Sequence, residues 1–269
     1  MLNIPLANFF KCLFVLNLFV VPCKGWTEEE LKPIIEVIQG IVEKSKTSDL
    51  STAPPIIAIG GCAGVGKSTI TQLLQFELSE LGISSVAICQ DHYCLSQKEI
   101  MQLPSEMDPR RTQWNKLLDT LTSIRNGETE ISKPIINQLT KEIGQETLQL
   151  ANVDCVIFEG SSALADWPPM NLLQYADLKI YLETSLENIY DWKWQRELKK
   201  PVPRSSQAFY QHMIEIVKDF AFHVYPTRKN SDYIIQVDSF HHYSTSKAEG
   251  VKVRPEPDFT PFRLELLTY

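Results

Sequence analysis

Apolar positions along the chain switch between helical and strand spacing. From Thr27 onward, Leu31, Ile34, Ile38, Ile41 and Val42 fall on one face at helical spacing, and Thr27 with Glu30 has the spacing of a capping box. Pro33 lies near the start of this helix, where it delays or kinks it. A polar stretch from Lys46 ends in Pro54-Pro55 and reads as a linker. Ile56-Ile57-Ala58-Ile59-Gly60 is then a continuous apolar run, the profile of a strand buried on both faces. A helical pattern follows from near Ile70, with Leu73, Leu74, Phe76, Leu78 and Leu81 turned inward and Gly82 at its end. Ser85 to Gln90 predicts a second strand. Two strands joined by a helix form a βαβ unit, which implies a parallel sheet with ligands at the carboxyl ends of its strands.

Downstream the alternation continues. Ser96 to Met101 predicts a short helix and Thr112 to Asn126 a longer one closed by Gly127. Residues 131–149 hold two short β-like runs around Lys141 to Gln145, forming either a hairpin over the sheet edge beside a substrate pocket or a solvated loop. Asn152 to Gly160 is a largely apolar run ending in the acid Glu159, the profile of a central strand. Asp177 to Leu182 predicts a strand, Ser185 to Leu198 a helix, and Ser205 to Val224 a helix with Phe209, Met213, Ile216, Val217 and Phe220 inward. Asp232 to Val237 is the last expected strand. The organisation expected from these patterns is a hydrophobic segment at 1–25, an amphipathic helix and linker at 26–54, one α/β domain at 55–240 and a tail at 241–269.

Composition narrows the function classes. With 269 residues, 43% of them hydrophobic, the chain can bury a substantial core. A formal charge of −7 gives no electrostatic footprint for nucleic acid. Six cysteines, Cys12, Cys23, Cys62, Cys89, Cys94 and Cys155, lack metal-ligand spacing and read as reduced thiols of a cytoplasmic protein, while His241-His242 lacks partners for a metal. Phe9 to Val21 is strongly apolar and resembles a signal-peptide core. It is broken by Lys11 and Asn17, short for a membrane span and without a clean small-x-small cleavage site. Three readings of it stand: a helix facing a membrane or packed on protein, an over-extended start, or an export signal. Membrane contact through residues 9–22 therefore stays open, and the oligomeric state is not legible.

The chemistry concentrates where the first strand meets its helix. Gly61-Cys62-Ala63-Gly64-Val65-Gly66-Lys67-Ser68-Thr69 matches G-x-x-x-x-G-K-[S/T] in the strand-to-helix setting the motif needs. The glycines let successive N–H groups face one centre, and the helix N-terminus adds its partial positive charge to it. Residues 61–69 are thus expected to cradle a nucleoside triphosphate, with Lys67 on the β- and γ-phosphates and the Ser68 hydroxyl on Mg²⁺. Asp91 falls just past the second strand. There it can accept the proton of an attacking hydroxyl or hold Mg²⁺ through water, unless it caps the helix that follows. Glu159 emerges beside the phosphates, either on a metal-bound water or bonding loop amides. Lys193, Arg196, Lys199, Lys200 and Arg204 cluster around Pro201 and Pro203, as a solvated face or as a lid that closes cations over a transferring phosphate.

Taken in order, these segments resemble the uridine kinase and phosphoribulokinase superfamily, which also holds pantothenate and glycerate kinases. The resemblance runs from about Pro55 to Val237. It is carried by Gly61 to Thr69, Gln90-Asp91-His92-Tyr93, Met107-Asp108-Pro109, Val156-Ile157-Phe158-Glu159-Gly160, the basic segment around Arg196-Glu197, and Tyr225-Pro226-Thr227 before Asn230-Ser231-Asp232-Tyr233. It implies a P-loop parallel sheet with helices on both faces, a small substrate-side insertion and a basic lid. It also implies Mg²⁺ and ATP as phosphoryl donor to a small hydroxyl-bearing acceptor, uridine or cytidine first, with pantothenate, glycerate or another sugar-like compound as the alternative. Lys67, Asp91 and Arg196 match the catalytic positions, Lys200 or Arg204 further lid cations on the nucleotide, and Ser68, Asp91 and Glu159 the magnesium set. The departures fall on the acceptor side. Pro134 is followed by Ile135-Ile136-Asn137-Gln138-Leu139, where nucleoside kinases carry a tyrosine-aspartate and then a histidine and arginine, and Cys94 replaces an aromatic residue. From another class, a nucleotide-binding switch or an inactive membrane-associated binding protein also fits an eroded acceptor motif.

Overall fold

The structure, a computed structural model, describes residues 28–47, 53–137, 142–168 and 170–248. The three readings of residues 1–25, the Thr27 cap and the expected hairpin turn near Lys141 lie outside the described residues. Helix α1 (Glu28–Thr47) leads into strand β1 (Ile56–Gly61) and helix α2 (Lys67–Glu80). Strand β2 (Ser85–Cys89), the short helix α3 (Gln97–Ile100) and helix α4 (Trp114–Arg125) follow. Strands β3 (Glu130–Ile136) and β4 (Ile143–Gln149) form the expected hairpin. Then come β5 (Cys155–Glu159), the two-residue strands β6 (Asp166–Trp167) and β7 (Met170–Asn171), β8 (Leu178–Glu183), α5 (Leu186–Leu198), α6 (Ser206–Asp219), β9 (Tyr233–Val237) and β10 (Tyr243–Lys247).

The main sheet has the order β10-β9-β8-β1-β5-β2, with β10 antiparallel to β9 and every other pair parallel. β1 and β5 are buried at every position, which is why their sequences, up to the terminal Glu159 of β5, read as apolar runs and not as alternation. Three aspartates close the amino edge. Asp154 accepts the amide of Ser84 at 2.7 Å, Asp177 that of Ile56 at 2.7 Å, and Asp232 that of Lys179 at 2.9 Å, each carboxylate taking the leading N–H of a neighbouring strand. The opposite, carboxyl edge is left to the phosphate loop and the turns around it.

Local signals set the helix starts. Ser185 and Ser205, both in extended backbone, accept the amides of Asn188 and Ala208 from the third helical position. Ser96 and Glu99 form a complete capping box, so the helix after Asp91 is capped by Ser96 and Asp91 is not its cap. In α2 the buried residues are Ile70, Thr71, Leu74 and Leu78. Leu81, expected inward, is 50% exposed because the helix stops at Glu80 and Gly82, at φ +74°, turns the chain away.

α1 shares this core: Leu31, Ile34, Ile38 and Val42 are buried, each contributing about 1.5–3 kcal/mol relative to exposure. The sheet also runs past the expected boundary at 240. β10 pairs with β9 from Tyr243 opposite Val237 to Lys247 opposite Tyr233, and Glu30 of α1 accepts the Tyr243 amide at 2.9 Å with His242 Nδ1 3.0 Å from its other oxygen. The Glu30 carboxylate thus serves the sheet edge and ties α1 to β10. Among the described residues no helix is long and apolar enough to cross a membrane.

Candidate active site

The phosphate loop has the backbone its glycines imply. Gly61, Gly64 and Gly66 lie at φ +143°, +96° and +102°, and a Cβ on Gly61 would stand 2.3 Å from the Leu182 carbonyl oxygen, so only glycine fits there. Gly66 is the left-handed residue before α2, and its carbonyl accepts the Ile70 amide at 3.0 Å. Lys67 Nζ donates to the carbonyls of Gly61 and Cys62, both at 3.0 Å, closing the loop back onto the end of β1. The Cys62 thiol is buried and burial pushes its pKa up to about 12, so within the cradle it is a neutral packing group.

Ser68 Oγ donates to Glu159 Oε1 at 2.7 Å. Register explains the meeting: Glu159 ends β5 beside Ile59 of β1 on one side and Cys89 of β2 on the other, while Ser68 lies in the first turn of the helix after β1. Asp91 lies in the 3₁₀ turn Gln90–Tyr93, directly after β2, with its side chain 67% exposed. Glu159 and Asp91 both act on the thiol of Cys89, whose pKa is driven up by burial and then by these two carboxylates, so the acids flank one sulfur at the carboxyl edge. Oxygen donors of this kind suit Mg²⁺, which keeps most of its waters and needs few protein ligands. Among the described residues no group of three or more His, Cys, Asp and Glu offers a denser metal cage.

Gln90, buried, braces this edge: its Oε1 accepts the Ser162 amide at 3.0 Å, and a Cβ on Gly160 would stand 2.2 Å from that oxygen. His92 is half-buried. Burial, then Lys133, lowers its pKa, so it stays neutral, and Lys133 itself is buried with its Nζ 2.6 Å from Glu146 across the hairpin.

On the lid side the geometry redistributes the expected roles. Lys200 Nζ binds the buried Glu197 carboxylate, Arg204 Nη1 reaches it at 3.2 Å and the Arg204 amide at 2.9 Å. Hydrogen bonds from Lys200 and Arg204 outweigh the effect of burial and hold Glu197 down at about 2. The two cations assigned to the nucleotide are thus engaged by Glu197, and Arg196, one position before it, is exposed to solvent. The basic residue on the phosphate loop is Lys193, which the sequence named only as part of the cluster. A Cβ on Gly64 would lie 2.9 Å from Lys193 Cγ and Cδ, so glycine at 64 makes room for that stem. Burial lowers the Lys193 pKa to about 8, helped by Arg196 and Lys67 and opposed by Asp91. The signal that could have found it is the one-turn spacing of Lys193 and Arg196 on α5.

A second feature missed by the sequence is a shallow, open recess next to Asp91, lined by Gln90, Arg111, Thr112, Ser161, Ser162 and His223 among others. Arg111 Nη2 stands 3.9 Å from Asp91 Oδ1. His223 Nδ1 lies 3.1 Å from Asp219, and that bond raises its pKa.

Known proteins resemble this chain in sequence and fold. The chain is 25% identical over 184 residues to a uridine kinase of Ureaplasma urealyticum, covering 67% of this chain and 86% of that one. It is 27% identical over 227 residues to a pantothenate kinase of Sinorhizobium fredii, covering 72% and 68%. The solved D-glycerate 3-kinase of Cryptococcus neoformans superposes with a TM-score of 0.60 at 14% identity over 81% of this chain and 98% of that one, a likeness of fold. The profile of the Phosphoribulokinase / Uridine kinase family matches residues 56–243. With its phosphate loop, Ser68–Glu159 pair and Asp91 on one edge of a mostly parallel sheet, this chain belongs to the phosphoribulokinase / uridine kinase family of small-molecule kinases.

Proposed function

We propose that the chain carries the γ-phosphoryl group of ATP to a hydroxyl of a small metabolite that stands at Asp91. The observation that carries this reading is the 2.7 Å Ser68–Glu159 hydrogen bond at the mouth of the phosphate loop, with the exposed Asp91 carboxylate at the end of the strand beside Glu159. The loop amides of residues 61–69 and Lys67 bind the donor phosphates. Ser68, with Glu159 or Asp91, holds Mg²⁺, which when bound offsets charge on the phosphates. Asp91 orients the acceptor hydroxyl and takes its proton as it attacks. Lys193 sits on the loop from the lid helix and supplies a positive charge close to the phosphates, while Arg196, Lys200 and Arg204 reach them on closure, when the Glu197 cluster opens.

On the acceptor side, the order of the motifs and the likeness to the Ureaplasma uridine kinase support uridine or cytidine. A second reading, a hydroxy acid such as pantothenate or glycerate, is favoured by the hairpin. β3 presents Lys133, committed to Glu146, then Ile135 and Ile136, instead of groups that would bond a base and ribose.

Two variants separate binding from transfer. Asp91→Asn is expected to keep nucleotide binding, which rests on the loop amides and Lys67, and to lose about 10²–10⁴ in kcat, because an amide cannot take the acceptor's proton. Lys67→Ala is expected to weaken MgATP binding itself. Unchanged turnover in Asp91→Asn removes its assigned role, and unchanged MgATP affinity in Lys67→Ala removes the phosphate site.

A further inference from the structure

Arg111 ends the 3₁₀ turn Pro109–Arg111, and its neighbour Arg110 has a different task. Asp108 caps that turn through the Arg110 amide at 2.8 Å and takes the Arg110 guanidinium at 2.9 and 2.7 Å, so Arg110 serves the turn and is 68% exposed. Arg111 is drawn in instead, at 21% exposure. Its backbone is fixed by the Leu95 amide at 2.7 Å and by the bridge between Cys94 and Thr112. Its Nη1 donates to the Glu106 carbonyl at 3.1 Å and touches Met107 Sδ at 3.4 Å. Nε and Nη2 enter no hydrogen bond among the described residues, and Nη2 faces Asp91 Oδ1 across 3.9 Å, beyond hydrogen-bond distance. The guanidinium is therefore held in place by one nitrogen and has donors to spare beside the carboxylate that meets the acceptor hydroxyl.

A neutral acceptor has no use for such a group. Beside a neutral acceptor its charge is answered only by Asp91 across 3.9 Å, where it favours the ionised carboxylate and weakens it as a base. An acceptor with its own negative charge removes the conflict, because the guanidinium takes that charge in a two-pronged, charge-assisted contact and leaves Asp91 to the hydroxyl. The rest of the recess agrees. Gln90, Thr112, Ser161 and Ser162 are neutral, and Asp219, an acid on its wall, is taken up by His223 at 3.1 Å. The recess is open to solvent, so an acceptor enters it from the surface beside Arg111. With Arg111 only 3.9 Å from Asp91, the reacting hydroxyl and the anionic group are separated by a few bonds.

We propose that the acceptor is a compact hydroxy compound bearing a carboxylate or a phosphate, and that Arg111 is the residue that selects for this charge. The proposal rests on the reading that phosphoryl transfer takes place at Asp91.

The test uses the full chain and follows ADP release from MgATP with D-glycerate and pantothenate as carboxylates, a pentose phosphate as phosphate, and uridine, cytidine and glycerol as neutral acceptors. A carboxylate or phosphate compound is expected to stimulate release, and the arm that responds names the anion. Arg111→Gln is expected to raise its KM by about 10- to 100-fold with a much smaller change in kcat, and Arg111→Lys to fall between. Thermal stabilisation by MgATP reports that each variant is folded. Stimulation by a neutral compound, with a KM that Arg111→Gln leaves unaltered, overturns the proposal while transfer at Asp91 stands. An anionic acceptor whose KM ignores Arg111→Gln overturns the role of Arg111. No stimulation by any compound, with MgATP bound, overturns the proposal and the transfer reading together.

Discussion

Lys193 gives nucleotide binding a pH signature. Its ammonium is held against the phosphate loop with Arg196 on its own helix, Lys67 and Cys62 on the loop, Asp91 on the turn beside it and His212 from α6, and its pKa is pushed down from 10.5 to about 8. A displacement of that size corresponds to about 3 kcal/mol against the charged form. The sign follows from proton counting. Between pH 8 and 10.5 the unfolded chain holds the Lys193 proton and the folded one does not, so this group makes the nucleotide-free protein more stable as pH rises through that window. Phosphate binding reverses the preference. An anion beside Lys193 favours its charged form, so MgATP binds best below pH 8 and progressively worse above it. If the complex restores the ordinary value, affinity falls up to about 30-fold between pH 7 and 9.5. The thiols of Cys62 and Cys94, held up at about 12 and 11, do not titrate in that range. The assay is calorimetric titration of MgATP at several pH values for the wild type and for Lys193→Arg, whose guanidinium stays charged throughout. A wild-type affinity that is flat from pH 7 to 9.5, or a Lys193→Arg protein with the same slope, refutes the placement of Lys193 on the phosphates.

Other consequences follow from single contacts. Gly64→Ala places a Cβ at φ +96° and 2.9 Å from the Lys193 stem, so unfolding is expected about 1–2 kcal/mol earlier with weaker MgATP binding; a variant unchanged in both means that the loop does not have this backbone. Glu197→Gln leaves Lys200 and Arg204 without their buried counter-charge and is expected to cost about 3–5 kcal/mol, seen as a lower Tm and faster tryptic cleavage after Arg204. With its pKa held at about 2, Glu197 contributes stability that is present above pH 4.5 and lost as pH falls toward 2, so the Tm gap between wild type and Glu197→Gln narrows in acid. Ser68→Ala is expected to raise the Mg²⁺ concentration needed for half-maximal turnover, and an unaltered Mg²⁺ dependence speaks against Ser68 in the metal set.

What the sequence revealed, and what it hid, divides along physical lines. Gly61 to Thr69 was legible because backbone curvature and phosphate recognition impose residue types at fixed offsets, independent of anything distant. β1 and β5 were legible because a strand buried on both faces is apolar along its length, with Glu159 admitted only at the end of β5 where Ser68 meets it. β10 was not, since Tyr243-Ser244-Thr245-Ser246-Lys247 is a mostly polar edge strand whose pairing is set by the β9 backbone and by Glu30, over 200 residues away in sequence. The same non-locality hid the choice among the lid cations. Lys193 and Arg196 share a helix face, and only packing against Gly64 and the position of Glu197 decide which one lies on the loop. Arg111 lies two positions after the Met107-Asp108-Pro109 motif and belongs to no pattern of its own. Its meaning arises when the turn after Asp108 folds against the turn after β2 and brings the guanidinium to Asp91.

Transfer from ATP to an acceptor hydroxyl at Asp91 is read by following γ-labelled phosphate from ATP into the acceptor pool, with wild type and Asp91→Asn side by side. A labelled, phosphorylated acceptor is expected from the wild type, and a yield lower by about 10²-fold or more from Asp91→Asn at equal MgATP occupancy. Label found only in inorganic phosphate, or equal transfer by the two proteins, would contradict transfer at Asp91.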